Sequence, residues 1–595
     1  MNQQLVGTNG DDLLRVEDVL SNPDDVVDFE ILGLAGNDVI TSGRGNDSIL
    51  GGQGNDLIRL LSTATDSDRD TVRGGLGDDT VFGRDNPFVL DQSANDTLIV
   101  NIATGAGNDL ISVSNQGGII NAGDGDDTIY GSGLVIAGDG NDSIEGDSPF
   151  AASTLRGGAG DDSISAFGGG DRIFGESGND LLLGSIDRDT ISGGTGNDEI
   201  LGDGGGDEIN GDAGDDFIEA GFNGATGDAN LFGASGNDTI QGRAGNDDIY
   251  GNVGQDSLLG GAGNDNLWGD DDEDTIFGGR GDDFVQGGSE NDSIFGNDGS
   301  DTLDGGRDND RIFGGNGNDR IFGQDGSDRI FGGSGNDRIS SGFGSDTVDG
   351  GAGDDTIDGA VIFSESQASS GTASLSGGAG NDVIITGYGG EDFTNLAFGG
   401  QGNDSISGNI GGEDLFGGEG DDVISGDLGS DRLIGGDGND LLEDLGGNSL
   451  LVGGAGNDTL IGEIKYDEKV LASNPSLPLV DTVRDTLVGG AGADTFDFEA
   501  VFIPPVSSSD TRTPEDLRGR YIGNFNQDFA IIRDLNVNED TIRLTADLEY
   551  RFTPNGSGSN LEQNTIDGWD RIAVIQNVQL GNSDLANTQL FEFAS

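Results

Sequence analysis

The 595-residue chain has no cysteine, no histidine, nine prolines, two tryptophans and only 27 lysines and arginines. Without cysteine there are no disulfides, no thiolate metal centres and no thiol nucleophile. Without histidine there is no Ser-His-Asp triad, no HExxH zinc site and no imidazole acid or base. Any catalysis would rest on carboxylates, Lys, Tyr or a bound metal. No run of 18 apolar residues occurs, so no membrane-spanning helix is expected. The opening MNQQLVGTNGDDLL lacks a basic stretch followed by an apolar one, so no cleavable secretory signal is expected. The 27 basic residues face 111 acidic ones, a net charge of −84. Nucleic acid and anionic membrane would be repelled, and neither is expected as a partner. The natural partner is a cation, and about 42 divalent ions would neutralise the chain.

What is abundant is glycine, 114 residues, and it falls in a nine-residue phrase. Residues 233–358 hold fourteen units in unbroken register, among them GGAGNDNLW, GGRGDDFVQ, GGNGNDRIF and GGSGNDRIS. The sixth position is Asp in all fourteen, the eighth is Ile, Leu or Val, and the first is Gly in all but one, Ser341. Seven more units fill 157–219, and after a four-residue insertion (220–223) the frame resumes at Gly224. Another seven fill 399–461, three of them degenerate or marginal. Earlier copies stand at 33–41, 42–50 and 51–59, and the last begins at Gly489. The interruptions at 60–73, 84–103, 359–376 and 463–488 read as surface loops.

The sixth-position aspartates are the candidate metal ligands. In the N-terminal stretch they are Asp38, Asp47, Asp56, Asp79, Asp109, Asp127 and Asp142. The next block holds Asp162, Asp171, Asp180, Asp189, Asp198, Asp207 and Asp216. The unbroken run holds Asp238, Asp247, Asp256, Asp265, Asp274, Asp283, Asp292, Asp301, Asp310, Asp319, Asp328, Asp337, Asp346 and Asp355. Asp382, Asp404, Asp422, Asp431, Asp440, Asp458 and Asp494 complete the set.

The spacing has a physical reading. Six glycine-rich residues make a turn, and the following x-U-x makes a short strand whose aliphatic residue faces one side. Two units form a coil of turn, strand, turn, strand, and stacked coils align every second Asp about 4.8 Å apart. Two aliphatic side chains per coil bury little apolar surface, and rows of carboxylates within a Debye length repel. Folding therefore calls for something that binds the carboxylates. A hard dication with oxygen ligands fits, and Ca²⁺ suits a flexible site of roughly six to eight oxygens better than Mg²⁺ does. The lack of His and Cys argues against zinc and copper.

The phrase GGxGxDxUx, seen as GGNGNDRIF at 314–322, resembles the RTX, or haemolysin-type, calcium-binding repeat. The resemblance covers about four-fifths of the chain. It implies an all-β parallel β-roll (an RTX solenoid) with loop insertions, in which the sixth-position Asp and turn carbonyls ligate Ca²⁺ between coils. It also implies export by type I secretion machinery, directed by a C-terminal signal to which NTQLFEFAS is similar. At Ala229, Glu413 and Ser449 the Asp is missing, and a ligand is altered or absent there. In a cytosol poor in Ca²⁺ the array would stay expanded, and binding to the folded form outside the cell would drive folding.

The expected division is 1–156, N-terminal repeats with inserts; 157–358, regular β-roll; 359–398, insert with degenerate repeats; 399–498, repeats with a loop; and 499–595, a small C-terminal β-rich cap carrying the export signal. Residues 496–595 have only six glycines, and strand-like segments stand at 530–535, 540–544 and 570–580. The expected role is a secreted calcium-binding structural or cell-surface protein without enzymatic activity. Rivals are an adhesin that binds cell-surface polysaccharide, or a secreted RTX enzyme; the latter would need a catalytic module for which the repeats leave no space.

Other features have plainer readings. Phe277, Phe295, Phe313 and Phe331, spaced by 18 with Arg311 and Arg329 beside the last two, form a stripe on one outer face. Cross-strand packing explains it better than self-association or ligand binding. Acidic pairs such as Asp161–Asp162, Asp215–Asp216 and Asp282–Asp283 are fifth and sixth repeat positions rather than glycosidase pairs. Trp268 and Trp569 read as packing or incidental exposure, and LASNPSLPLV (471–480) as a spacer.

Overall fold

The computed structural model describes residues 3–16, 27–60, 69–83, 99–113, 118–148, 151–221, 227–359, 372–387, 394–462 and 486–497, with strands at 530–533, 541–545, 550–555, 558–565, 568–576 and 591–594. Every regular element among them is a β-strand. The chain divides into two compact units, Met1–Phe295 and Gly296–Ser595.

In each unit successive strands alternate between two parallel sheets, as an all-β parallel β-roll requires. In the first unit one sheet aligns the eighth-position residues Ile173, Ile191, Ile209, Leu231, Ile249 and Leu267 in register. The other aligns Ile164, Leu182, Ile200, Ile218, Ile240 and Leu258. In the second unit Ile321, Ile339, Ile357 and Ile384 line one sheet, and Ile312, Ile330, Val348 and Leu375 the other. All of these side chains are buried. Period-2 geometry turns one aliphatic residue per repeat inward and its two neighbours outward. The core is thus a single aliphatic file from each sheet.

The strands are longer than the x-U-x reading allows. Arg311–Asn316, Arg320–Asp325 and Arg329–Ser334 each run six residues, from the seventh position through the third of the next unit. Pairing skips the first-position glycine. Leu32 pairs with Leu50 and Leu34 with Gly52, while Gly33 and Gly51 between them stay unpaired in register. The tight bend is confined to the residues after that glycine. At Gly315 and Gly317 φ is +114° and +136°, the left-handed region that glycine tolerates.

The inserts are also shorter than expected. Strands resume at Arg69, Ile99, Ser374 and Thr486, inside the stretches read as loops. Residues 61–68, 84–98, 360–371 and 463–485, the last including 471–480, lie outside the described residues. The C-terminal segment extends the roll. Ala530–Arg533 and Thr541–Thr545 pair in parallel with Thr486–Ala491 and Thr495–Asp497. Phe591–Ala594, within the stretch read as the export signal, pairs in parallel with Thr541–Thr545. The antiparallel strands Tyr550–Asn555, Gly558–Thr565 and Gly568–Gln576 join the second sheet.

Candidate metal centres

The roll places all thirty-five sixth-position aspartates at the turn, just before an inward aliphatic residue. Every one is buried, with at most 3% of its surface exposed. Their two oxygens have different surroundings. Oδ1 accepts the backbone N–H of the sixth-position residue one coil earlier: Asp319 N–H donates to Asp337 Oδ1 at 2.8 Å, Asp337 to Asp355 at 2.8 Å and Asp404 to Asp422 at 2.8 Å. In the first unit Asp162, Asp180 and Asp198 continue the pattern into Asp216.

Oδ2 turns back over the first-position glycine of its own repeat. In more than two dozen repeats, including those of Asp38, Asp162, Asp256 and Asp337, this buried oxygen has no hydrogen-bond partner. An ideal Cβ at Gly314 would stand 2.4 Å from Asp319 Oδ2 and 2.4 Å from the carbonyl oxygen of Gly332, one coil on. At Gly260 the same construction meets Asp265 Oδ2 at 2.5 Å and the Gly278 carbonyl at 2.6 Å. An unpaired carboxylate oxygen and a backbone carbonyl from the next coil therefore converge where a side chain is forbidden. First-position glycine keeps this cradle open, a reason distinct from the positive φ at positions two and four.

Burial without a counter-charge is costly, and the carboxyls register it. Burial pushes Asp207 and Asp274 up to about 8, against a partly compensating backbone N–H from the preceding coil. Asp162, Asp256 and Asp355 are pushed to about 7 and Asp180 to about 6 for the same reason, with neighbouring carboxylates adding to the rise in each. A buried charge must be paired or neutralised.

Among the described residues no three carboxylates cluster closely enough to hold a metal by themselves. A cation here would take backbone carbonyls alongside carboxylate. That all-oxygen donor set suits a hard ion such as Ca²⁺ and lacks the nitrogen and sulfur that softer metals prefer.

The departures keep the register and lose the carboxylate geometry. Ala229 N–H still donates to Asp247 Oδ1 at 2.8 Å, but its methyl offers no oxygen. Ser449 substitutes its hydroxyl, accepting Asp431 N–H at 2.9 Å. Glu413 is 1% exposed, and burial beside the Asp431 carboxyl pushes its own carboxyl well above the usual range.

Two further aspartates occupy the same position outside the candidate set. Asp70 is buried and accepts Asp47 N–H at 2.8 Å; its signal is Asp-Thr-Val ahead of Gly74-Gly75. Asp12 lies in GTNGDDLLR, and its Oδ2 and the Gly33 carbonyl both stand 2.7 Å from an ideal Cβ at Gly7. A second ladder also escapes a reading for ligands. The exposed fifth-position Asn or Asp accepts the N–H of the fifth residue one coil later, as in Asn336 to Asn318 (2.7 Å), Asp421 to Asn403 (2.9 Å) and Asn439 to Asp421 (2.7 Å). This resolves the acidic pairs: Asp161, Asp215 and Asp282 are exposed fifth positions, whereas Asp162, Asp216 and Asp283 are buried sixth positions.

The outer faces carry stacked rings. Phe277 stacks on Phe295 with centroids 4.8 Å apart, and Phe313 on Phe331 at 5.0 Å. A ladder not anticipated runs Phe232, Tyr250, Trp268 at 4.9 and 4.4 Å, so Trp268 packs against a neighbouring coil. An arginine lies over a ring at Arg320 and Phe322, 5.1 Å to the centroid.

No curated protein matches the chain. The family model of the RTX calcium-binding nonapeptide repeat matches residues 30–58, 65–86, 152–218, 223–360, 367–464 and 484–500, in overlapping segments, which is more than half of the sequence. With the parallel two-sheet roll and the sixth-position aspartates buried at its turns, this makes the chain a member of the RTX calcium-binding repeat family.

Proposed function

We propose that the protein is an extracellular calcium-binding repeat protein with a structural or cell-surface role, whose roll assembles as Ca²⁺ binds. The observation that carries this reading is the unpartnered, buried Oδ2 converging with the first-position carbonyl of the next coil. Each ion would be held by the Oδ2 of a sixth-position Asp such as Asp319 and the carbonyl of a first-position glycine such as Gly332. Bound Ca²⁺ supplies positive charge to carboxylates that otherwise face desolvation and mutual repulsion uncompensated. The residues' part is to hold that arrangement: Oδ1 is fixed by an N–H of the preceding coil, and glycine leaves the space open. Thirty-five divalent ions would carry +70 against a chain charge of −84.

Secretion through type I machinery agrees with the family and with a chain that self-repels where Ca²⁺ is scarce. The proposed activity is non-enzymatic, in keeping with carboxylates committed to turn ladders and no His or Cys in the sequence. An adhesin reading draws on the Phe232–Tyr250–Trp268 ladder, though its stacked rings cover one another's faces. The test is far-UV circular dichroism with isothermal titration of Ca²⁺ into the EDTA-treated full chain. Little β-structure before calcium and a stoichiometry near three dozen are expected. Full β-structure in EDTA, or binding of a handful of ions, would overturn the proposal. Assay of culture medium, cell surface and cytosol tests the location.

A further inference from the structure

Along the unbroken run the first repeat position is glycine except at Ser341, and Thr104 stands at the same position in TGAGNDLIS (104–112). Both are fully buried. Their hydroxyls make the same contact. Ser341 Oγ donates to the Gly359 carbonyl at 3.0 Å, and Thr104 Oγ1 donates to the Ala122 carbonyl at 3.0 Å. Gly359 and Ala122 hold the first position one coil on, so these are the carbonyls that elsewhere converge with a sixth-position carboxylate. Burial raises the Asp346 and Asp109 carboxyls, and the two hydroxyls beside them hold back part of that rise.

Neither rung has slipped. Asp328 N–H donates to Asp346 Oδ1 at 3.1 Å, and Asp79 N–H to Asp109 Oδ1 at 2.6 Å. The backbone of both residues also completes the preceding cradle in the ordinary way. An ideal Cβ at Gly323 stands 2.5 Å from Asp328 Oδ2 and 2.2 Å from the Ser341 carbonyl oxygen. At Gly74 it stands 2.2 Å from Asp79 Oδ2 and 2.9 Å from the Thr104 carbonyl oxygen. Ser341 and Thr104 thus each face two rungs, one with the carbonyl and the next with the side chain.

The distances show what a side chain does in the cradle. A Cβ at Gly314 or Gly260 would stand 2.4–2.6 Å from a carboxylate oxygen and a carbonyl oxygen. Ca²⁺ takes its oxygen ligands at about 2.3–2.6 Å. A first-position Cβ and an ion therefore compete for one place. Serine and threonine fill it and bring a donor for the carbonyl that an ion would otherwise hold. We propose, on the calcium reading above, that Thr104 and Ser341 set occupancy at their rungs. The hydroxyl takes the ion's place, Asp109 and Asp346 hold no Ca²⁺, and the coil-to-coil contact there is a neutral hydrogen bond independent of calcium.

Calcium anomalous scattering from crystals of the full chain grown in CaCl₂ tests this, with calorimetry and circular dichroism of each variant. Wild type should show an ion at Asp79 and Asp328, whose cradles Thr104 and Ser341 complete, and none at Asp109 and Asp346. Ser341→Gly should gain an ion at Asp346, and Thr104→Gly one at Asp109, each adding one to the calorimetric stoichiometry. Ser341→Ala keeps the Cβ and loses the donor. It should gain no ion and should unfold at lower denaturant concentration than wild type in saturating calcium. Ions at Asp109 and Asp346 in wild type, beside occupied Asp79 and Asp328, would overturn the proposal and leave the calcium reading standing. Glycine variants that fold and gain no ion would do the same. Empty cradles at Asp79, Asp319 and Asp328 would overturn the calcium reading, and this proposal with it.

Discussion

Replacing Gly314 by alanine puts a methyl group into the cradle between two coils. The added Cβ stands 2.4 Å from both Asp319 Oδ2 and the Gly332 carbonyl oxygen. Ordinary contact begins near 3.4 Å, so each oxygen must retreat by about 1 Å. Neither has free travel. The Asp319 carboxylate is anchored through Oδ1 to Asp301 N–H at 2.9 Å, and Gly332 sits in a strand whose flanking residues pair with both neighbours. Overpacking of this kind costs about 1–3 kcal/mol, and the two oxygens proposed to share an ion are driven apart. Gly314→Ala should bind at least one Ca²⁺ fewer than wild type by calorimetry. Its calcium-saturated form should unfold at lower denaturant concentration with an unchanged slope. Gly10→Ala is the control, since a Cβ there meets nothing closer than 4.0 Å. If Gly314→Ala bound as many ions as wild type and unfolded at the same midpoint, the cradle would not be the ion site.

Asp337→Asn keeps an oxygen for Asp319 N–H but loses the charge, so it should lower calcium affinity while the saturated fold persists. Asp337→Ala also leaves that buried N–H unsatisfied and should cost about 1–3 kcal/mol in addition, read by denaturant titration. Acid should favour the calcium-free roll. The sixth-position carboxyls are raised from 3.8 to about 6 at Asp180, 7 at Asp256 and 8 at Asp274. The folded form therefore takes up protons, and its calcium-free stability is lost as pH rises through about 6–8. Circular dichroism in EDTA should report more β-structure at pH 5 than at pH 8, and equal or lesser order at pH 5 would refute this. Calcium affinity should move the opposite way, falling on acidification as protons compete. Ala229→Asp, at a register position that already donates to Asp247, should add one ion to the calorimetric stoichiometry.

Much of this roll is legible as sequence because one phrase states two periods at once. Asp at the sixth position and an aliphatic at the eighth mark the turn and the inward face together, so the phrase alone locates buried aspartates. Legibility ends where the phrase is broken or where backbone does the bonding. Asp70 escapes because only the second half of its repeat survives, and Asp12 because its unit, GTNGDDLLR, opens on a single glycine far from the regular run. The fifth-position ladder accepts backbone N–H groups, so Asn318, Asn403 and Asp421 serve alike and leave no single-residue signature. Strand length is misread from the phrase because the glycine pair looks like a bend, whereas only its second residue needs left-handed φ, as Gly315 does. The Phe232–Tyr250–Trp268 stack does have a sequence signal, the same 18-residue ninth-position spacing as the phenylalanine stripe, but three different ring types mask it.

The Oδ1 ladder also spans unequal lengths of chain. Asp337 and Asp355 are 18 residues apart, Asp79 and Asp109 are 30, and Asp458 and Asp494 are 36, yet the bond is 2.8, 2.6 and 3.1 Å. Closing a flexible loop twice as long costs only about 0.6 kcal/mol more. The roll counts coils and is nearly indifferent to the residues between them. It is therefore a permissive host, into which foreign segments can be spliced at Gly462 or Gly359 with the rungs on either side left intact.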